Sequence, residues 1–169
     1  MANSKAKNFL LGNLLVLLGL ACAIIAIFMP YALGFNKMVN PQNAYTFIFG
    51  YKGSSLGSYV YPSLSTALAG WILILVGLVS ALIIVPVAFL TKNGLRIGKF
   101  TFGQVLGGFA ALLLVVGGIL FFFPAMQYNN YLGADQGTYT LGIGFLLSAI
   151  FAIFGGVFCC LPLFVTLKK

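Results

Sequence analysis

The sequence predicts an all-α transmembrane fold, a bundle of four spanning helices, on three observations. Of its 169 residues 62% are hydrophobic and only 6% charged, against about 25% charged in a soluble domain. So little polar surface cannot cover a globule in water, and lipid must solvate much of the chain. Four uncharged apolar blocks run over residues 9–29, 67–90, 103–123 and 141–165. Each is close to the ~20 residues that cross ~30 Å of hydrocarbon as a helix. Runs such as Leu14-Leu15-Val16-Leu17-Leu18-Gly19-Leu20 do not alternate, as the roughly ten-residue strands of a membrane barrel would.

The first block follows Lys5 and Lys7 and contains Ala21-Cys22-Ala23, a pattern also found at signal-peptide cleavage sites. The apolar run continues through Ile24-Ile25-Ala26-Ile27-Phe28, so it reads as a membrane span. Lys92, Arg96 and Lys99 separate the second and third blocks, and Lys168 and Lys169 follow the fourth. These seven cations fall on one side; Lys37, Lys52 and the single acid, Asp135, fall on the other. Positive residues near span ends stay in the cytoplasm, which predicts cytoplasmic termini and outer loops at 30–66 and 125–140. The net charge of +8 is thus a topology signal and points to an anionic inner leaflet as partner. Three short basic segments without interleaved aromatics do not make a nucleic-acid site.

The first outer loop is long for a link between neighbouring helices. Its β-branched and aromatic run Ala44–Tyr51 predicts a strand, Lys52–Gly57 a turn, and Ser58–Tyr61 a returning strand. The end of the second loop, Asp135–Thr140, offers a third strand to this small extracellular sheet. Small residues mark helix contacts: Gly144, Ser148, Ala152 and Gly156 recur every four residues, and Gly103 and Gly107 lie in the third span. Packing within one bundle is the first reading, self-association the second. Cys22, Cys159 and Cys160 all lie within spans and read as small apolar packing residues.

With no His, a single acid and no G-x-x-x-x-G-K-[ST] loop, the chain lacks the usual means of acid–base catalysis, metal binding or phosphate binding. No cofactor is expected. No charge lies mid-membrane, where ion-coupled pumps carry one. Asn13 and Gln104 are the innermost polar side chains and are expected to bond between helices. The leading expectation is a non-enzymatic membrane protein whose outer segment contacts a partner protein or a second copy. Tyr45, Phe47, Phe49, Tyr51, Tyr59 and Tyr61 are its candidate contact residues, because Tyr and Phe favour interfaces. The alternative is an oligomeric channel or passive transporter built on the glycine-rich third and fourth spans.

The layout resembles the claudin-like tetraspan architecture, although the W…GLW…C…C motif is missing: Trp71 lies in the second span and no cysteine lies outside the spans. Phe49-Gly50-Tyr51 and Leu141-Gly142-Ile143-Gly144 are similar to segments of small four-span proteins of low-GC Gram-positive bacteria and mycoplasmas. That resemblance implies the four-span layout and no activity.

Overall fold

The computed structural model describes residues 2–36, 38, 41–52, 60–90, 96–97, 100–133 and 139–167. Helix α1 (Ala2–Phe28) runs through a 3-10 turn (Met29–Tyr31) to strand β1 (Phe35–Asn36). Helix α2 (Ala44–Phe49) and a short hairpin, β2 (Tyr51–Lys52) with β3 (Val60–Tyr61), lead to α3 (Ser65–Leu90). A second hairpin, β4 (Arg96–Ile97) with β5 (Phe100–Thr101), opens into α4 (Phe102–Leu120). Helix α5 (Pro124–Leu132) and β6 (Thr140–Leu141) precede α6 (Ile143–Leu167). Among the described residues four stretches are long and apolar enough to cross a membrane: Leu14–Tyr31, Ser65–Ile84, Phe102–Leu132 and Ile143–Leu161.

The four long helices form a ring in the order α1, α3, α4, α6, each antiparallel to its neighbours. Three of the four seams are closed by glycine against backbone. A Cβ placed on Gly117 of α4 would lie 2.8 Å from the Gly70 carbonyl oxygen of α3, and one on Gly70 would lie 2.9 Å from that of Gly117. Between α1 and α6, Gly19 and Gly155 face each other's carbonyls in the same way, at 2.9 and 3.1 Å. Between α4 and α6, Gly118 faces Ala149 O and Gly156 faces Ala111 O. Hydrocarbon is as apolar as leucine, so helices in lipid associate through close contact, and missing side chains permit it. The α1–α3 seam is the thinnest, and no described glycine has its nearest neighbours across it.

The predicted small-residue stripe on α6 is buried throughout but does not face one partner. Gly144 meets the Ala32 carbonyl just beyond α1, Ser148 donates its hydroxyl to Ala26 O of α1, and Gly156 meets α4. Ala152 is buried beside Gly118 of α4. A four-residue step overshoots one 3.6-residue turn by about 40°, so the stripe winds from α1 to α4. A Cβ placed on Gly107 would lie 3.3 Å from Cys159 O, whereas one on Gly103, at the start of α4, would have nothing within 4 Å. Gln104 lies in the first turn of α4. It forms a capping box with Thr101, accepting from Thr101 N at 2.8 Å while the Thr101 hydroxyl accepts from Gln104 N.

The segments at the other end of the bundle correct the expected sheet. Ala44–Phe49 is a helix, not a strand. Asn43 caps it, its side chain accepting from Thr46 N at 3.0 Å, and Gly50 ends it at φ 77°. Ala44, Phe47 and Ile48 share the buried face, a helical spacing that outweighs the β preference of six residues. Among the described residues of the predicted hairpin, Tyr51 pairs with Tyr61 and Lys52 with Val60. Gly53–Gly57 of the turn, Ser58 and Tyr59 lie outside the described residues. The expected third strand belongs to another ladder: Thr140 and Leu141 pair with Asn36 and Phe35, and Asp135–Thr138 lie outside the described residues. On the opposite side of the same segment Leu33 bridges to Asn43.

Candidate interaction surface

Both long connections between bundle helices meet at one end as a cap built around aromatic rings. Phe35 is at its centre, fully buried, edge-on to Phe47 at 4.6 Å and stacked on Tyr128 at 4.9 Å with 6° between planes. Phe145 lies 5.5 Å from Phe35 and 5.6 Å from Phe121. Five separate segments therefore supply one ring cluster. Offset or edge-on pairs at such distances stabilise beyond their buried area by about 0.5–1.5 kcal/mol each.

Amide side chains fasten the cap to the bundle. Gln127 of α5 reaches the first turn of α3, accepting from Thr66 N at 3.1 Å and from the Thr66 hydroxyl at 2.7 Å, and donating to Ser65 Oγ at 2.8 Å. It thus fills the N-cap role from another helix, satisfying donors that a helix start leaves open. Asn129 exchanges two bonds with the Tyr139 backbone, at 3.0 and 2.9 Å, and so sets the approach to β6.

Among the candidate contact residues, Phe47 is buried within the ring cluster and offers no surface. Tyr45 is half-buried, and its hydroxyl donates to Ile27 O at the end of α1. Burial raises its phenol pKa, while the Trp71 indole beside it acts in the opposite sense. The Trp71 N–H itself falls outside hydrogen-bond geometry. Tyr45 therefore spans from α1 toward α3 where direct helix packing is thinnest. Tyr61 is half-buried, edge-on to Phe47 at 5.5 Å. Phe49 and Tyr51 are 53% and 57% exposed. Tyr31, outside the predicted set, is 77% exposed and begins a row of touching rings, Tyr31–Tyr45–Phe49–Trp71.

The surface thus divides into a buried ring cluster and an exposed aromatic edge at Tyr31, Phe49 and Tyr51. It carries no group of His, Cys, Asp or Glu able to hold a metal ion among the described residues. In the bundle, the buried hydroxyls of Ser80 and Ser148 both donate to backbone carbonyls, Val76 O at 2.8 Å and Ala26 O. Phe35, Gln127 and Tyr128 were not found from sequence. Pro124 and Gly133, nine residues apart, are the start and stop signals that mark α5 around the last two. Comparison with protein-family models and with curated protein sequences returns no match.

Proposed function

We propose that this chain is a non-enzymatic multi-pass protein of the cell membrane, with both termini cytoplasmic, that acts through protein contacts of its outer cap. Its role is that of a scaffold or accessory subunit. The observation that carries this reading is the exposed aromatic edge of Tyr31, Phe49 and Tyr51 standing on a cap held by rings from five segments. A prearranged surface loses little side-chain entropy on binding, and Tyr and Phe are enriched in such contacts. Gly103 apart, the described glycines of α4 and α6 that suggest a channel face neighbouring backbones instead, which favours the cap reading. The test is the double variant Phe49→Ser/Tyr51→Ser, purified in mild detergent with its native partners and weighed intact. Loss of a co-purifying subunit or of a higher oligomer is expected, with unfolding unchanged. An identical complex mass in the variant refutes the proposal.

A further inference from the structure

Helix α5 lies across the end of the bundle. Gly70 and Gly117 face each other and so mark one level on α3 and α4. At ~1.5 Å per residue Thr66 stands about 6 Å from that level toward the cap, whereas a straight continuation of α4 would carry Gln127 about 15 Å. Gln127 nevertheless accepts from Thr66 N at 3.1 Å, so the chain turns over between α4 and α5. The turn is at Phe121–Phe123, whose N–H groups bond three residues back, to Gly118, Ile119 and Leu120. Pro124 then starts α5. On the inner face of α5, Tyr128 stacks on Phe35. Its outer face continues the exposed stripe of α4, for Phe109, Leu112, Val116, Ile119, Phe123 and Met126 follow one another at steps of three and four. Leu112 is 60% exposed and Met126 65%. The stripe turns polar at its next step, Asn130, with Tyr131 beside it and both exposed. No residue of α5 is charged.

Length sets the depth of this face. The apolar stretch Phe102–Leu132 has 31 residues and as one straight helix would run ~46 Å, well beyond ~30 Å of hydrocarbon. The 19 residues of α4 alone extend ~28 Å. Arg96, just before α4, keeps its start at one boundary of the hydrocarbon, because a charge deeper in is costly. The turn at Phe121–Phe123 then falls at the other boundary. We propose that α5 is an interfacial helix, lying flat between phospholipid headgroups and acyl chains, with Phe123 and Met126 in lipid and Asn130 at its wet end. Its occupant is phospholipid, because the outer stripe is continuous with the exposed face of α4 and aromatic residues favour that depth. With lipid on one side and Phe35 on the other, α5 anchors the cap to the membrane surface. The inference rests on the membrane-spanning reading and does not involve Tyr31, Phe49 or Tyr51.

The test places the unmodified full chain in phosphatidylcholine vesicles and labels it with a lipid-soluble diazirine or, separately, with hydroxyl radicals made in the water. Labelled sites are read by mass spectrometry. Met126 is expected to take the lipid label as Leu112 does and to resist oxidation from the water. Label on Leu112 with none on Met126 overturns the proposal and leaves the membrane-spanning reading standing; label on neither overturns both. Protection of Met126 from both reagents, as a second copy of the chain would give, also overturns it. Depth is read in the variant Trp71→Phe/Met126→Trp, whose new tryptophan is the single one. Bromines near the headgroup end of the acyl chain are expected to quench it more than bromines deep in the chain. Stronger quenching by the deep bromines overturns the flat placement. If that variant fails to fold, labelling of the unmodified chain decides.

Discussion

The bundle and the cap are packed by opposite means. In the bundle the closest contacts occur where side chains are missing, as at Gly70 and Gly117. In the cap they occur where the largest side chains meet, as at Phe35, Phe47 and Tyr128. The difference follows from the solvent each region meets. Between helices in lipid there is no hydrophobic gain to collect, so stability comes from dispersion at short range. At the cap, rings leave a wetter environment, and burying a Phe side chain contributes about 1.5–3 kcal/mol. Among the described residues the α1–α3 seam lacks close glycine contacts, and it is bridged at its cap end by Tyr45, where the two modes meet.

Substitutions at Phe35, Gly117 and Gln127, with controls, test this contrast, each read as unfolding in mild detergent. Phe35→Ala should act most strongly, costing about 3–5 kcal/mol as a large buried ring is lost. Trp71, the single tryptophan, touches Phe49, and its fluorescence should report the cap loosening at lower denaturant than helix loss by circular dichroism. Coincident transitions would mean that cap and bundle unfold as one unit. Gly117→Ala should cost about 1–3 kcal/mol by overpacking, since its methyl would fall within 3 Å of Gly70 O and Ile74. Gly103→Ala, with open space, is its control and should lie within about 0.5 kcal/mol of the parent or above it. Equal effects at Gly117 and Gly103 would remove the close-approach account of the seams. Gln127→Ala should cost about 1 kcal/mol through loss of the α3 cap, whereas Gln127→Glu, which keeps the acceptor, should cost less. A Glu variant as unstable as the Ala variant would place the effect in lost packing.

The spans were legible because bilayer thickness imposes run length, and no tertiary contact can override it. The cap was legible only in part. Ala44–Phe49 has strand-forming residues, yet Asn43 and Gly50 at its ends and the buried face of Ala44, Phe47 and Ile48 carry the opposite message. Weight on composition over end signals produced the wrong element. The ring cluster could not be read at all: Phe35 and Phe145 lie 110 positions apart, and no periodicity links such residues. The capping box of Thr101 and Gln104 was overlooked because Gln104 stands at the start of an apolar block, although Thr101 three residues earlier completes the capping pattern.

The cap on α3 has a consequence for biosynthesis. Thr66 receives its partner from Gln127, 61 residues later in the chain. At translation rates of about 5–20 residues per second, that amide arrives roughly 3 to 12 s after the helix start it completes. Strand β1 waits longer still, because β6 lies beyond Gln127. Helices α1 and α3 therefore enter the bilayer with an open helix end and an unpaired strand, which Gln127 of α5 and strand β6 close later. Ribosomal pausing between α3 and α4 would prolong that exposed state, and a chain truncated after α3 would present it permanently to quality-control proteases.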